Sequence, residues 1–294
     1  MKLRLVQPTD LALSPVWLIV TIVYVGSALW TAVLSFTSSR SLPTYRFAGL
    51  AQYRRLWLGA RWPAALSHLL VFGAGLLLVS LALGVLLAIL LDRAKGLSGL
   101  FRTIFLYPAA VSFVVTGLVW QWMMNPEFGL QTALRPVGLG GLRLDWASHP
   151  NTVILALVIA GAWQGAGLVM VIVLASLRGV NPEIWHAARV DGIPTWRIYA
   201  SVVLPMIQPA LMTAALMVSV SIVKVYDLVV AFTHGGPGTS SDMPSLYIMD
   251  YLFLRQNIAL ACAASTSLLL LVAAAALLVR LVQYGLAYAA QVRR

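Results

Sequence analysis

Residues 181–205 read Asn-Pro-Glu-Ile-Trp-His-Ala-Ala-Arg-Val-Asp-Gly-Ile-Pro-Thr-Trp-Arg-Ile-Tyr-Ala-Ser-Val-Val-Leu-Pro, a polar segment between two apolar runs of membrane length. Asn181 is a favourable N-cap for a helix, and Pro182 suits the first helical position, where its missing N–H is not needed. Gly192 provides the backbone freedom that ends this helix, and Pro194 then opens a second one. The segment therefore predicts a short helix, a glycine turn and a second helix, folded outside the lipid.

The first of these helices has two different faces, because successive residues turn by about 100°. One face carries the polar side chains of Glu183, His186 and Arg189. The other face carries apolar or small side chains, those of Ile184, Trp185, Ala187 and Ala188. Together with a second helix over residues 194–204, such an amphipathic helix forms a knob suited to the cleft of a partner protein.

The composition indicates a membrane protein. The chain has 294 residues, of which 61% are hydrophobic and 10% charged. Its apolar runs reach about 20 residues or more, the length that crosses a bilayer. The net charge of +11 comes from basic residues that flank these runs singly or in pairs, which argues against nucleic-acid binding. The single cysteine, Cys262, lies in an apolar run, so a disulfide framework and a cysteine-based metal site are excluded.

We predict an all-α polytopic membrane protein with six transmembrane helices, forming one domain over residues 1–294. Each span must be helical, because lipid offers no hydrogen-bond partner to the backbone. The predicted spans are 14–36, 64–91, 103–124, 151–177, 207–233 and 258–281, with a polar loop at 178–206. The first span is too long for the core of a signal peptide, so we expect it to remain uncleaved.

The 181–205 segment resembles the cytoplasmic loop of permease subunits of binding-protein-dependent ABC importers, in their carbohydrate branch. That loop has the form Glu-Ala-Ala-x-x-x-Gly, is extended as Asp-Gly-Ala and closes at Leu-Pro. Matching spacings occur at Ala187, Ala188, Asp191, Gly192, Trp196, Leu204, Pro205 and Pro209. His186 stands at the position of the family glutamate and Ile193 at that of the last alanine, while Glu183 lies three residues too early to be that glutamate.

Other segments extend this resemblance over about residues 45–265. Residues 47–57 are similar to the family segment before the second span, where Trp57 and Trp62 are expected at the membrane interface. The family patterns that begin and end the third span are similar to residues 101–108 and 120–129, and its external Gly-Gly-Pro loop matches residues 234–238. Residues 240–244 resemble most closely the glucose/mannose and α-glucoside members.

The resemblance implies a type I ABC importer permease fold with a cytoplasmic coupling helix. It implies as partners a second homologous permease, two ATPase subunits that bind ATP and Mg, and an external solute-binding protein that delivers a sugar. Transport would follow alternating access, with the ATPases moving the coupling loop as they close. The residues expected to couple to the ATPases are Glu183, His186, Ala187, Ala188, Asp191, Gly192 and Trp196.

The same loop determines the predicted orientation. With residues 178–206 in the cytoplasm, six spans place both termini in the cytoplasm of a bacterial or archaeal cell, in its plasma (inner) membrane. Basic residues alone leave the orientation open, because several arginines crowd the first external loop. These are Arg40, Arg46, Arg54, Arg55 and Arg61.

Polar and aromatic residues within the spans are candidates for the substrate path. These candidates are Gln121, Trp163, Gln164, Lys224, Tyr226 and Asp227. A buried amide needs partners, and an ionisable residue in a span indicates function by default. Lys224 and Asp227 are expected to share a helix face and partly neutralise each other, either as a structural pair or as part of the cavity. For Trp163 and Gln164, helix packing with one interhelical hydrogen bond is the alternative to sugar binding.

The chain contains no motif for catalysis. The Gly-x-x-x-x-Gly-Lys-Ser/Thr phosphate loop, the His-Glu-x-x-His zinc motif and the Gly-x-Ser-x-Gly nucleophile motif are all absent from the sequence. We therefore expect a non-catalytic subunit with no metal and no cofactor of its own. The alternative function is an ion-coupled secondary transporter that uses Lys224 and Asp227, although no clear inverted repeat supports it.

Overall fold

The computed structural model describes residues 8–94, 96, 98–138 and 145–292, and their side chains except at 8–13, 137 and 282–292. Within these ranges the chain is helical with connecting turns and forms no strand, only one isolated bridge between Thr37 and Phe47. The all-α prediction is confirmed. Within the continuous helices, backbone groups thus find their partners inside the same segment, as lipid requires.

Among the residues that the structure describes, four helices are long and apolar enough to cross a membrane. The first, Ser14–Ser35, lies within α1 (Pro8–Val20), a π-helical turn (Thr21–Gly26) and α2 (Ser27–Ser35). After the short α3 (Ala51–Leu58), the second is α4 (Arg61–Arg93). The others are α8 (Val153–Arg178) and the Ile258–Leu281 part of α15 (Ile258–Val292). They agree with four of the predicted spans to within a few residues.

The predicted third span is not one continuous helix. It consists of α5 (Ser98–Ala110) and α6 (Phe113–Met123), which are bent by 100° relative to each other. Ser112 caps the second of these helices, accepting a hydrogen bond from the backbone N–H of Val115 at 3.3 Å. Pro108 lies near the end of α5 and lacks an N–H, which weakens the last turn before the bend.

The predicted fifth span, 207–233, begins at a bend and contains a break. Residues Thr195–Met206 and α12 (Gln208–Val223) meet at 75°, and each has a proline near the junction, where a donor is lost. The helix then ends before Lys224 and resumes as α13 (Asp227–Phe232). If each bent pair crosses the membrane once, the chain has six spans, which is the predicted number.

The chain divides into two compact units, residues 1–63 with 247–294 and residues 64–246. In the first unit, α2 and α3 pack on α15. In the second, α8 is largely buried and packs against α5 and α12, while α6 packs on α13. The core of the second unit includes Phe72, Leu157, Met170, Ile198 and Leu228. The single domain that we expected over residues 1–294 stays a prediction.

Short elements complete the chain, namely α7 (Leu130–Leu134) and α14 (Pro244–Met249), the latter followed by a π-helical turn, Asp250–Leu254.

Trp62 corrects one expectation, because its side chain is fully buried rather than placed at a lipid interface. Its ring packs edge-on against Trp57 and Tyr247, with centroids 6.5 and 5.3 Å away. Aromatic neighbours brought together by the fold therefore cover a ring that sequence alone assigned to the membrane surface.

Candidate functional site

The polar segment 181–205 begins with the helix that its sequence predicts, α9 (Pro182–Val190). The side chain of Asn181 accepts a hydrogen bond from the backbone N–H of Glu183 at 2.9 Å. At the other end Gly192 has a φ of +69°. Its N–H donates to the carbonyl of Arg189, and the N–H of Ile193 donates to that of Ala188, each at 3.1 Å. This is the Schellman arrangement, in which a left-handed glycine closes the helix.

Two faces of α9 differ in exposure. The outer face presents Glu183, His186 and Arg189, all exposed, and Arg189 Nη2 lies 3.2 Å from Nδ1 of His186. On the inner face Trp185 is partly buried, and Ala188 is 6% exposed and belongs to the core of its own chain. Ala188 therefore packs α9 against the core of its own chain and is not exposed to a partner protein. The exposed residues Ala187, Asp191 and Gly192 lie on the outer surface, so Ala187 departs from its predicted apolar face.

The second half of the segment differs from the single helix predicted at 194–204. It consists of α10 (Thr195–Ile198), a π-helical turn (Tyr199–Val203) and α11 (Leu204–Met206). Trp196 is 67% exposed, and the guanidinium of Arg197 lies 5.4 Å from its ring. Tyr199, in contrast, is buried against the C-terminal end of α4. The knob therefore has an exposed tryptophan beside α9 and a buried tyrosine beneath it.

A cavity of about 180 Å³ lies among α4, α5, α6, α8 and α12. Its wall includes apolar side chains such as Phe113 and Met217, together with three polar ones, Ser80, Gln164 and Ser221. Ser80 is fully buried and Gln164 is 6% exposed. Within the part of the chain that the structure describes, Ser80 Oγ and Gln164 Oε1 have no hydrogen-bond partner. Buried polar atoms are costly when unpaired, so this wall is suited to a polar ligand or water.

Gln164 also joins this wall to the bend between α5 and α6. Its Nε2 donates a hydrogen bond of 2.6 Å to the carbonyl oxygen of Val111, which lies at the break. A helix break in a membrane segment leaves carbonyls without partners, and a protein side chain must then satisfy them. Gln164 therefore makes a hydrogen bond to the bend, and the same side chain also lines the cavity.

The expectation for Lys224 and Asp227 was wrong in its geometry. Lys224 follows the end of α12 and Asp227 begins α13, so no continuous helix places them on one face. Both residues are exposed, and no ion pair between them occurs among the described residues. The rule that residues three apart share a face holds only in an unbroken helix. Lys224 instead lines a small recess with Phe113 and Ser221, both of which also line the main cavity.

The remaining path candidates lie outside the lining of the main cavity. Trp163 is 41% exposed and packs edge-on against Trp120, with ring centroids 6.1 Å apart. Gln121 and Tyr226 are partly buried. Ser80 and Ser221 do line the cavity, and neither was a candidate. Serines inside apolar spans are common enough that position alone gives no functional signal.

Comparison with known protein families identifies the chain. A family model described as "Binding-protein-dependent transport system inner membrane component" matches residues 80–287, which include the cavity and the polar segment. The chain belongs to this family. The predicted resemblance is confirmed, and the protein is an ATP-driven permease subunit of a multi-pass membrane transporter.

Individual relatives agree with this membership. The permease is 35% identical over 266 residues to "Probable ABC transporter permease protein PH1215" of Pyrococcus horikoshii, a match that covers 88% of this chain and 89% of the relative. It is 33% identical to the xylose/arabinose import permease protein XacH of Haloferax volcanii, over 78% of this chain and 74% of the relative. The lactose transport system permease protein LacF of Rhizobium radiobacter is 26% identical, over 97% of this chain and 94% of the relative.

The fold agrees as well. A chain of a bacterial ABC transporter involved in the import of the acidic polysaccharide alginate superposes with a TM-score of 0.77. The match covers 92% of the permease and 96% of that chain at 20% sequence identity. The permease therefore has the type I ABC importer fold.

One further cluster, in the first unit, was not foreseen. The carboxylate of Asp250 pairs with Arg61 and, at 3.0 Å, with Arg255. The guanidinium of Arg61 lies 5.2 Å from the ring of Tyr247, and that of Arg255 lies 4.8 Å from the ring of Tyr251. Burial, together with the neighbouring Tyr251, raises the pKa of Tyr247 above its ordinary value. The cluster fixes the start of the π-helical turn and has no local sequence signature.

Proposed function

We propose that the permease forms half of a sugar translocation path and that its cavity holds part of the sugar. The observation that carries this proposal is the pair of buried, unpartnered atoms in the cavity wall, Ser80 Oγ and Gln164 Oε1. A sugar hydroxyl both donates and accepts hydrogen bonds, so it suits a serine hydroxyl beside an amide oxygen. The apolar C–H face of a sugar ring packs well against aromatic and aliphatic side chains such as Phe113 and Met217.

The size of the cavity supports a shared path. Complete ligand sites usually enclose about 300–1,000 Å³. The cavity of this chain measures about 180 Å³, so a second, homologous permease would supply the other wall. The relatives named for xylose/arabinose and lactose transport favour sugars as the substrate class. The description of the family as binding-protein-dependent favours a solute-binding protein as the external donor. The similarity of residues 240–244 to glucose/mannose and α-glucoside members makes these sugars the first to test.

A test of the cavity compares two serine variants on the same helix. Ser80→Ala removes the hydroxyl from the cavity wall, whereas Ser67→Ala removes an exposed hydroxyl that bonds the carbonyl of Ala64. We expect Ser80→Ala to raise the KM for sugar uptake by roughly 3- to 10-fold, the usual consequence of losing one neutral hydrogen bond. Ser67→Ala should transport normally.

The measurement is uptake of labelled glucose, mannose, maltose, xylose and lactose by proteoliposomes that contain the complete transporter and its binding protein. Basal ATP hydrolysis should stay unchanged in both variants, because neither residue lies in the 181–205 segment. If Ser80→Ala and Ser67→Ala have the same KM, the proposal that the cavity binds the sugar is contradicted. If none of these sugars is transported, the proposal that the substrate is a sugar is contradicted.

Coupling is the second part of the proposal. The outer face of α9 is exposed and held at both ends by a side-chain cap and a Schellman turn, which makes it a rigid docking element. Two ATPase subunits, which bind ATP and Mg, would dock on this face and on that of the second permease. The contacts would come from Glu183, His186 and Arg189, with Trp196 at the edge.

This arrangement requires the 181–205 segment and both termini to lie in the cytoplasm. Phe128 and Val190 allow a direct check, because both are strongly exposed, at 65% and 88%, so exposure does not bias their labelling. In a Cys262→Ala background, we expect Phe128→Cys to react with an impermeant thiol reagent added to sealed cells. Val190→Cys should react only after the membrane has been opened and the ATPases removed. Labelling of Val190→Cys in sealed cells would show that the 181–205 segment faces outward and would contradict the proposed orientation.

A further inference from the structure

One buried tyrosine of the second unit contacts side chains of two other elements, α4 and α9. Tyr199 is 5% exposed and begins the π-helical turn after α10. Its hydroxyl donates a hydrogen bond of 3.0 Å to Oδ2 of Asp92, in the last turn of α4. Its ring centroid lies 5.0 Å from that of Trp185 on α9, in an edge-on arrangement, and 5.1 Å from the guanidinium of Arg93. The ring therefore lies between α9 and the end of α4.

The position of Asp92 shows that this contact does more than fill space. The C-terminal end of a helix carries partial negative charge, so a carboxylate there weakens its own helix. The hydrogen bond from Tyr199 is a tertiary contact that offsets this cost, because a donor stabilises the charged carboxylate. A phenylalanine at position 199 would pack equally well but could not hold Asp92. The hydroxyl therefore fixes the ring relative to α4.

The cavity lies along the same helix. α4 is continuous from Arg61 to Arg93, and Ser80 on its cavity side lies about 18 Å from Asp92 at 1.5 Å per residue. A displacement of the inner end of α4 therefore moves the cavity wall without any intervening hinge. The chain itself also links α9 to the cavity, back across residues 179–181 into α8 and forward through α10 and α11 into α12.

We propose that Tyr199 and Asp92 form a relay that transmits movement of α9 to α4 and thereby to the cavity. The proposal rests on the coupling role of α9 proposed above. When α9 moves, Trp185 pushes against the Tyr199 ring, and the hydrogen bond to Asp92 carries that displacement into α4. Tyr199 is a positioning residue in this scheme, since it touches neither nucleotide nor sugar. Without its hydroxyl, α9 moves while α4 stays behind, and ATP is hydrolysed without transport.

The test measures sugar transported per ATP hydrolysed, in proteoliposomes that contain the complete transporter and its binding protein. We expect Tyr199→Phe to lower this ratio about tenfold, the factor typical of losing a hydrogen bond to a charged group. ATP hydrolysis itself should continue at a rate close to that of the unmodified protein. Tyr107→Phe is the matched control, because Tyr107 is 69% exposed and its hydroxyl has no hydrogen-bond partner within the described residues.

Asp92 provides the second arm of the experiment. Asp92→Leu should lower the ratio as Tyr199→Phe does, and the double variant should be no worse than either single one, because both remove the same bond. Asp92→Asn keeps an acceptor for the tyrosine hydroxyl and should restore much of the ratio. Additive losses in the double variant would overturn the relay.

Two other outcomes also have defined meanings. A parallel loss of hydrolysis and transport in Tyr199→Phe would contradict the relay, because it would indicate a merely structural role. An unchanged ratio in Tyr199→Phe would contradict it too. If variants of the α9 turn abolish substrate-stimulated ATP hydrolysis and transport while Tyr199→Phe leaves both unchanged, the coupling role of α9 survives and only the relay fails.

Discussion

Gly167→Ala will prevent the permease from reaching its transporting form. A Cβ atom at Gly167 would lie 2.2 Å from the carbonyl oxygen of Phe105 and 3.2 Å from Cα of Leu106. Both are backbone atoms of α5, so no side chain can move aside, and α5 must separate from α8. Small residues permit such close approach between membrane helices, where packing rather than the hydrophobic effect holds helices together.

We expect Gly167→Ala to destabilise the protein by at least about 1–3 kcal/mol, the usual cost of overpacking a core. Transport should be lost, because Gln164 lies on the same helix three residues before Gly167 and must reach the carbonyl of Val111. Gly99→Ala is the control, since it adds the same methyl group to α5 at a place with no atom within 4 Å.

Thermal unfolding in detergent, together with the yield of monodisperse protein, measures this effect. Gly99→Ala should unfold at the temperature of the unmodified permease, and Gly167→Ala clearly below it. Equal unfolding temperatures for the two variants would mean that α5 and α8 do not approach as closely as the structure has them.

The sequence predicted those parts of the molecule that local chemistry determines. Asn181, Pro182 and Gly192 act within a few residues of themselves, through a side-chain cap, a preset φ and a left-handed turn. Their positions in the chain therefore sufficed to place both ends of α9. The four continuous spans could also be predicted from the sequence, because a helix that crosses the bilayer needs an apolar run of about 20 residues.

Bends and breaks within apolar segments could not be predicted in the same way. Hydropathy depends on composition and carries no information on backbone direction. The segment that contains the 100° bend after Ala110 therefore reads as one uninterrupted span in the sequence. At this bend the amide of Gln164, which is 53 residues away in the sequence, donates a hydrogen bond to the carbonyl oxygen of Val111. The break at Lys224 was missed for the same reason, and with it the true separation of Lys224 from Asp227.

Long-range pairs account for the rest of what sequence reasoning missed. Ser80 and Gln164 belong to different helices and define a cavity wall only after folding. Tyr199 and Asp92 are 107 residues apart and have no common motif. The only local sign was an acidic residue at the C-terminal end of an apolar run, where it is unfavourable for its own helix.

Gly192→Val will uncouple the permease from ATP hydrolysis while leaving it inserted in the membrane. The φ of Gly192 is +69°, a left-handed conformation that a β-branched residue adopts only with strain. No atom lies within 4 Å of the position of an added Cβ, so backbone strain rather than a clash is the cause of the effect. Relief of the strain would break the hydrogen bond from Ile193 N–H to the Ala188 carbonyl and release the end of α9.

The expected strain is about 1–3 kcal/mol, enough to favour a reoriented α9 over the observed one. Substrate-stimulated ATP hydrolysis and transport should both fall to background in the assembled transporter. Gly192→Asn should keep much of the activity, because asparagine enters the left-handed region more readily than valine. Gly138→Val is the control for strain alone, since Gly138 has a φ of +81° and open space around it but lies outside the 181–205 segment. If Gly138→Val and Gly192→Val lose transport equally, or if Gly192→Val keeps full transport and ATP hydrolysis, the turn of α9 has no role in energy coupling.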